Sequence, residues 1–430
     1  MCNSRWILIA ALGALPLGPL AAACSSAGDG LGLGKDANGG ASGLGGVGGG
    51  SSGVDGSDGE SGGGGGSDIE GGSGGESCGL GPDDDSDGDG YTPNQGDCND
   101  CNPSVNPGAF DVPGNGVDDD CNEVVDDPVE CDTGFAVADD DPMHGAHAIE
   151  LCRTTSLEAQ GSEKTWGVIS AKYVMADGTD GMAALSHGLL PSFGNAGLRA
   201  GAALLALSTG HARAADQPGY SKSSNVSMNT ASSLPVGFPR SVPACPGVTT
   251  SNECRDPAAL ELEIRVPTNA NSFSFNLNFF TGEYPTNLCT SENNIFVSLL
   301  WPTPPTVEDN NISFDEQGNT IGVNCSWMLA CSPGTFPPIG GKHFDCPLGK
   351  DMLEGTVFSG ISVLAGAATG WLATTSPVEP GSIIKLRFAI WESSERQTWP
   401  TVAFDSTVLI DNFQWHTESV ESAVTIPLDP

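Results

Sequence analysis

The chain has 430 residues, 60 of them glycine, and its 54 acidic side chains against 16 Lys and Arg leave a net charge of −38. Phosphate binding needs a basic face, so this charge excludes a nucleic-acid partner and argues against docking on anionic lipid. The bias is local: residues 25–82 hold 26 of the glycines, and residues 25–150 carry 28 acids against one base, Lys35. The rest is long enough for one large domain or two small ones.

Residues 1–23 have the features of a secretory signal peptide. Arg5 precedes an apolar run that ends in small residues, and Cys24 follows at once. This ending resembles the lipobox of bacterial lipoproteins, although Ala21 replaces the usual leucine. The resemblance implies secretion through the Sec pathway and a lipid on Cys24. Because Ser25 follows instead of Asp, it also implies an outer-membrane anchor at the cell surface of a Gram-negative bacterium. The alternative is a plain secretory signal with an incidental cysteine.

Residues 24–77 are predicted to form a disordered linker. They are mainly Gly, Ser, Ala and Asp, and so few large apolar side chains cannot offset the entropy lost on ordering. A flexible coil of this length spans roughly 40 Å. We expect the linker to hold the rest of the chain away from the membrane.

An acidic, cysteine-bearing module is predicted at residues 78–130. Its opening, DDDSDGDGYTPNQGDCND from Asp83, alternates carboxylates and then places Gly90 at a turn, the pattern by which loops offer Ca²⁺ its oxygen ligands. An EF-hand would have Glu at position 12, where this chain has Gly96, so the loop is not an EF-hand proper. A register beginning at Asp83 also fits the opening, but the later register is followed by further carboxylates. The predicted ligands are Asp85, Asp87, Asp89, the Tyr91 carbonyl, Asp97 and Asp100.

A second loop of the same kind follows 33 residues later. Its sixth position holds Glu123 where glycine is expected, and a non-glycine residue in the left-handed region is strained. We therefore expect this second site to be weaker or differently coordinated. Its predicted ligands are Asp118, Asp120, Asn122, the Val124 carbonyl and Asp127.

The strings DSDGDGYTPNQGDCND, NPSVNPGAFD and GVDDDCNEVVDD resemble the MopE-type metal-binding motif of bacterial surface proteins. Glu123 is the main departure, since that family usually has glycine there. The family name refers to copper, but these ligands are hard oxygens without His or Met, which suit calcium. The expected cofactor is therefore Ca²⁺ and not copper. The competing interpretation is a solvated acidic linker.

Cysteines other than Cys2 and Cys24 number twelve, and an even count in a secreted chain indicates disulfides and an oxidising compartment. Cys98 and Cys101 have the spacing of a zinc or redox site but lack its context, so disulfides are favoured. Two short loops predict the pairs Cys245–Cys254 and Cys325–Cys331. The remaining pairings are open.

A globular, mainly β domain is predicted at residues 131–420, with a tail at residues 421–430. Apolar alternation or continuous apolar runs predict strands, and Gly and Pro separate them, as in a β-sandwich or jelly roll. Short helices are predicted at residues 144–152 and 197–207. The predicted strands are residues 260–266, 273–279, 295–301, 383–391 and 408–415.

Residues 145–418 resemble the choice-of-anchor L family of bacterial surface proteins. The likeness is carried by short blocks: AALELEI from Ala258, FSFNLNFFTGEYP from Phe273, GWL from Gly370, PG at Pro380 and DSTVLIDNFQW from Asp405. The resemblance implies an extracytoplasmic domain on a chain with one of several anchors, here the N-terminal lipid. It implies no activity.

Three carboxylates near the strand ends of this domain are Glu283, Asp405 and Asp411. They are candidates for a structural ion or for anchoring loop amides, and the second role is favoured. The resulting hypothesis is a non-enzymatic cell-surface lipoprotein for display or adhesion, with matrix, polysaccharide or another cell as partner. One alternative is a hydrolase on a jelly-roll scaffold, with Glu283 and Asp405 as acid and base. The other is a metal-scavenging surface protein.

Overall fold

The computed structural model describes residues 81–127, 130–336, 342–360, 366–393 and 404–429. The signal peptide, Cys24 and the linker predicted from the sequence lie outside these residues. All the described residues belong to one compact unit. Within the described ranges, no helix combines the length and the apolar composition that a membrane crossing requires.

The described residues are mainly β, as the sequence predicts. In the described ranges, one α-helix, α1, covers Pro142–His147, and 3-10 helices cover Pro93–Gln95, Gly161–Glu163, Ala184–Ser186, Asp351–Leu353 and Val357–Ser359. The strands in the first half of the domain are β1 (Gly167–Val174), β2 (His187–Leu190), β3 (Leu204–Ser208), β4 (Arg255–Arg265), β5 (Ser272–Thr281), β6 (Asn294–Trp301) and β7 (Ile321–Gly322). The strands that follow are β8 (Ala330–Cys331), β9 (Gly334–Phe336), β10 (Lys342–Phe344), β11 (Ala367–Ala368), β12 (Leu372–Pro377), β13 (Ile383–Glu392), β14 (Ser406–His416) and β15 (Val424–Pro427).

Two antiparallel sheets make up most of the domain. One sheet has the strand order β1-β4-β13-β6-β7, and the larger one has the order β15-β12-β5-β14-β3-β2, with β11 pairing with β5 and β8. Strands β9 and β10 pair antiparallel with each other. The five strands predicted from the sequence are confirmed as β4, β5, β6, β13 and β14, which are central in these sheets.

The two sheets share one apolar core. Alternate residues of β5, from Phe273 to Phe279, are fully buried in it. Phe275 meets Phe388 of β13 edge to face, with ring centroids 4.9 Å apart, so the two large sheets face each other as in a sandwich. Burying each such side chain contributes about 1.5–3 kcal/mol to the stability of the fold.

The helix predicted at residues 197–207 is wrong, because Leu204–Ser208 form strand β3. Leu205 and Leu207 enter the main core, whereas Leu204 and Ala206 pack into a second apolar cluster on the opposite face. A continuous apolar run fits a strand buried on both faces as well as it fits a helix. The helix predicted at residues 144–152 is present but shorter and earlier, and it begins where Asp141 accepts a hydrogen bond from the Met143 amide.

The C-terminal residues that we predicted as a tail include a strand. Strand β15 pairs with β12, from Val424 opposite Thr375 to Pro427 opposite Leu372. The sheet therefore continues to the end of the described chain. The short, partly exposed pattern of β15 carries too little apolar periodicity to identify a strand.

Both predicted disulfides are wrong. Cys245 bonds to Cys289, and Cys331 bonds to Cys346. Cys254 instead packs beneath the outer face of β13, in the cluster that contains Trp391, and its thiol lies 3.2 Å from the Ser232 hydroxyl. Proximity along the chain therefore did not predict which cysteines meet.

The thiols of Cys254 and Cys325 are free and buried. The Cys325 thiol lies in the main core, where it accepts a hydrogen bond from the Trp327 amide, and burial raises its pKa. Burial likewise raises the pKa of the Cys254 thiol to about 12. Both thiols are therefore protonated and unreactive at neutral pH. Two further disulfides join Cys98 to Cys121 and Cys131 to Cys152, and Cys101 is also disulfide-bonded.

The acidic module is attached to the sandwich by specific contacts. Phe110 enters the main core, and its amide and carbonyl both bond to the Asn269 side chain, at 3.0 and 2.9 Å. The Tyr91 ring is buried, and its hydroxyl donates to the Lys164 carbonyl. The Thr268 amide donates to the Gly108 carbonyl at 2.9 Å. The module is therefore fixed to the turn between β4 and β5.

Candidate metal centre

The first loop brings together the three carboxylates that its spacing predicts. One oxygen from each of Asp85, Asp87 and Asp89, which we call the first cluster, lies within 4.8 Å of the others. Asp85 accepts hydrogen bonds from the amides of Gly88 and Gly90, at 2.7 and 3.0 Å. These bonds close the turn, and Gly90 adopts the left-handed φ of 96° that glycine adopts without strain.

The first cluster contains buried oxygens that no hydrogen-bond donor satisfies. These include Oδ2 of Asp87 and Oδ2 of Asp89. Burial, opposed by a backbone hydrogen bond and reinforced by the charges of Asp87 and Asp97, raises the pKa of Asp89 to about 7. A buried carboxylate oxygen without a partner is costly, and a bound cation would remove that cost. The residues present therefore fit a metal ion.

The carboxylates that follow the first loop differ from each other in role. Asp97 is buried, its Oδ2 has no hydrogen-bond partner, and burial followed by the charge of Asp87 raises its pKa. Asp97 thus remains available as a ligand. Asp100 instead accepts hydrogen bonds from the Ser86 amide and hydroxyl, at 3.0 and 2.6 Å. These bonds fix the position of the first residues of the loop. The amide of Tyr91 donates to Asp89. The Tyr91 carbonyl stays a predicted ligand.

A second group of three carboxylates includes one residue that the sequence analysis missed. Oxygens of Asp111, Asp120 and Asp127, which we call the second cluster, lie within 4.8 Å of one another. Asp120 and Asp127 were predicted ligands, whereas Asp111 stands outside the alternating pattern. Its side chain accepts from the amides of Asp119 at 2.7 Å and Asp127 at 3.0 Å. Only the folded turn brings it into place.

The other predicted ligands of the second loop shape the turn. Asp118 accepts from the amides of Asn122 and Glu123, at 3.1 and 2.8 Å, as Asp85 does in the first loop. The Asn122 side chain accepts from the Val124 amide and donates to Asp127. Asp118 is not among the three carboxylates of the second cluster. Asp118 and Asn122 stay predicted ligands. The Val124 carbonyl likewise stays a predicted ligand.

Glu123 shows the backbone conformation that its position in the loop predicts. Its φ is 75°, compared with 96° at the equivalent Gly90. We expect Glu123→Gly to stabilise the chain by about 1 kcal/mol, because glycine adopts this conformation without the cost of a Cβ. Gly90→Ala is the matched opposite change and should destabilise by a similar amount, since no atom crowds a Cβ there and only the backbone is strained. Urea unfolding of both variants measures these effects, and equal stability of the Glu123→Gly variant and the parent would contradict the expectation.

The three carboxylates proposed at strand ends of the sandwich anchor loops. Glu283 is fully buried and accepts from the Asn294 amide at 2.6 Å and the Asn287 side chain at 3.1 Å. Asp405 accepts from the Val226 amide at 2.9 Å, and Asp411 from the Arg199 amide at 2.6 Å. These contacts fit the loop-anchoring role that we favoured over a structural ion.

Comparison with known proteins gives a match to a family model. A family model named Cu-binding_MopE and described as a "putative metal-binding motif" matches residues 97–127. The match contains the whole second cluster, and the first cluster precedes it. No curated protein and no solved structure matches the chain significantly. The motif and the disulfides together indicate a metal-binding extracellular protein.

Proposed function

We propose that the chain is a cell-surface protein whose acidic module binds calcium and rigidly supports a β-sandwich used for display or adhesion. The observation that carries the proposal is the first cluster, where buried carboxylate oxygens of Asp87 and Asp89 have no hydrogen-bond donor. A divalent cation would neutralise these carboxylates and order the loop, so its binding free energy would add to the stability of the fold.

Calcium is favoured over copper by the atoms available. The first cluster offers carboxylate oxygens, which suit calcium. Copper prefers imidazole or sulfur, but Cys98, Cys101 and Cys121 are all tied in disulfides and present no thiolate. The copper in the family name nevertheless supports a second candidate function, the capture of a transition metal at the surface.

A surface location and an adhesive role extend this proposal beyond the metal. The disulfides favour an oxidising compartment, and the lipobox-like segment ending at Cys24 would anchor the chain to the outer membrane. The contacts of Tyr91 and Phe110 with the sandwich would hold the module rigidly against it, so that the module would connect the N-terminal linker firmly to the β-sandwich. The choice-of-anchor L resemblance supports the same placement. The partner would be matrix, polysaccharide or another cell.

The hydrolase alternative is less well supported. An acid and base pair must reach the glycosidic bond of a substrate. Glu283 and Asp405 are buried, with exposed fractions of 0 and 3%; Glu283 accepts from the amide of Asn294 at the start of β6, and Asp405 accepts from the loop amide of Val226. The proposal therefore gives them a structural role.

Calorimetric titration of the metal-free chain with calcium, and separately with copper, tests the proposal. We expect saturable calcium binding at micromolar to millimolar affinity, as in other oxygen-ligand sites. Tight copper binding without a calcium response would replace the proposal with metal capture. Turnover of a glycan or peptide by the purified chain would overturn the non-enzymatic role.

A further inference from the structure

The larger sheet has an outer face, turned away from the shared core, that stays accessible on β15, β12, β5 and β14. Successive side chains of a strand point to opposite faces, so the residues between the core positions of β5 point outward. Two rows of outward residues cross these strands in register. The first row is Val424, Thr375, Ser274 and Gln414. The second row is Ile426, Ala373 and Asn276, and Asn412 extends it by donating a hydrogen bond of 3.0 Å from its side chain to Asn276.

These two rows are uncharged, although the chain as a whole carries a net charge of −38. Every side chain in them is neutral, and all except Asn276 are at least partly exposed. The Gln414 side chain donates to the Asn412 side chain at 2.9 Å, and its own oxygen remains free to accept. Hydroxyl and amide groups of this kind both donate and accept hydrogen bonds, so the face suits a polar ligand without charge.

A cleft of 310 Å³ continues this face beyond the ends of β12 and β15. Trp371 and Leu428 extend the two strands into it, and the Leu428 amide donates to the Trp371 carbonyl at 2.9 Å. Two loops form the rest of the wall, one with Gly197 and Arg199 and the other with Asp351. The volume lies at the lower end of the range of small-molecule sites, about 300–1,000 Å³.

The cleft combines an aromatic side chain with planar polar groups. Trp371 packs in the second apolar cluster and is 9% exposed, so one part of its indole reaches the cleft. Arg199 and Asp351 are exposed, and within the described ranges neither forms an ion pair. A sugar ring needs both kinds of contact, because its C–H groups pack on apolar side chains while its hydroxyls bond to carboxylate and guanidinium groups.

We propose that the cleft and the two rows together bind a neutral polysaccharide, with one sugar residue in the cleft and the next ones along the outer face. The inference rests on the proposed function and deepens it, because it identifies the adhesive partner as a glycan. From Thr375 to Trp371 the site is about 13 Å long, at roughly 3.3 Å for each strand residue, which exceeds one sugar ring.

Charge and composition favour this ligand over two others. An acidic glycan would be repelled by the net charge of the chain. A protein partner would need an apolar centre with large exposed anchors. The two rows offer only the aliphatic side chains of Val424 and Ile426 for that purpose, among hydroxyl and amide groups.

The experiment measures how much of the full chain binds to cellulose, chitin, β-1,3-glucan and galactomannan, with acidic alginate as the comparison. We expect saturable binding to at least one neutral polysaccharide and none to alginate. Binding should be equal in calcium and in EGTA, because no residue of the acidic module lies in the cleft or in the two rows.

Gly197→Phe tests the cleft. The Gly197 backbone lies outside the left-handed region and no atom lies within 4 Å of the position that its Cβ would take, so the added ring should fill the cleft without strain and abolish binding. Gly360→Phe is the matched control, because Gly360 is equally open but lies outside the cleft. Thermal unfolding should show the same stability for both variants.

Gln414→Ala tests the outer face. Losing the hydrogen bonds of this exposed side chain should weaken binding about two- to ten-fold. Gln317→Ala is the matched control, because Gln317 is also exposed but lies in a loop outside the site, and it should bind as the parent does.

The outcomes separate this inference from the proposed function. Binding to no neutral polysaccharide, or binding that Gly197→Phe and Gln414→Ala leave unchanged, would overturn the glycan site and leave the calcium module untouched. A dimer in sedimentation that Gly197→Phe dissociates would also overturn it, since a second copy would then occupy the face. Glycan binding by a chain that takes up no calcium would keep this inference and overturn the proposed calcium centre.

Discussion

Asp89→Asn should lower the stability of the chain in calcium and raise it in a chelator. Without metal, three carboxylates of the first cluster lie within 4.8 Å of one another. At a pH above the raised pKa of Asp89, about 7, removing its charge relieves about 1 kcal/mol of repulsion per pair at a solvent-like dielectric constant. With metal, the variant loses a ligand. At a calcium concentration one hundred times the dissociation constant, the parent chain gains about 2.7 kcal/mol that the variant largely forgoes. The order of stability therefore reverses between the two conditions.

Thermal unfolding of both chains, with calcium and with EGTA, measures this reversal. Asp84→Asn is the matched control, because Asp84 is exposed, lies outside the first cluster and bonds only locally, to the Gly81 amide at 2.9 Å. The control should respond to calcium as the parent does. If Asp89→Asn is less stable than the parent in both conditions by the same amount, Asp89 has only a structural role in the loop.

The second large effect concerns pH and the carboxyl group of Glu150. Neither of its buried oxygens accepts a hydrogen bond of good geometry, although the backbone amides of Asn412 and Phe413 lie close enough to lower its pKa somewhat. Burial, and after it the charge of Asp411, raises the pKa of Glu150 from 4.5 to about 8, with a smaller contribution from Asp132. Burial likewise raises the pKa of Asp411 to about 6. The folded chain therefore binds this Glu150 proton more tightly than the unfolded chain does.

The sign of the pH effect follows from that difference. The stabilisation from the Glu150 proton is fully present below pH 4.5 and is lost as the pH rises through about 8. Glu150→Gln keeps the shape without the charge, so it should remove this loss and be more stable than the parent at pH 9. We expect a gain of about 3 kcal/mol, below the full value for such a shift because the side chain keeps partial exposure.

Urea unfolding between pH 5 and pH 9 measures how the free energy of unfolding changes with pH in the parent and in Glu150→Gln. Glu158→Gln is the matched control. Because Glu158 is exposed, this variant should show the same pH dependence of the free energy of unfolding as the parent. Parallel pH profiles for the parent and Glu150→Gln would show that the Glu150 carboxyl does not carry the proton linkage.

The central strands could be predicted because their pattern is local. In β5, Phe273, Phe275 and Phe279 alternate toward one core, and this period of two is visible in the sequence. In β3, Leu204 to Leu207 form a continuous apolar run, which cannot distinguish a doubly buried strand from a helix. The assignment of β3 depends on β2 and β14 on either side of it.

The candidate metal ligands also divide into those that a local sequence pattern predicts and those that only the tertiary structure brings together. Asp85, Asp87 and Asp89 form a cluster because adjacent turns of one loop bring alternate residues together. Asp111 joins its cluster only when the intervening turn folds and donates backbone amides to it. The pairing of Cys245 with Cys289 depends similarly on how two distant loops meet. Such contacts depend on tertiary structure and leave no periodic signal in the sequence.

Anomalous diffraction from crystals grown with calcium, and separately with copper, tests the central claim most directly. The account predicts a calcium peak among Asp85, Asp87 and Asp89, and no copper peak there. A copper peak at the first cluster would contradict the claim that the acidic module is a calcium centre. So would a first cluster that holds no metal at a saturating calcium concentration.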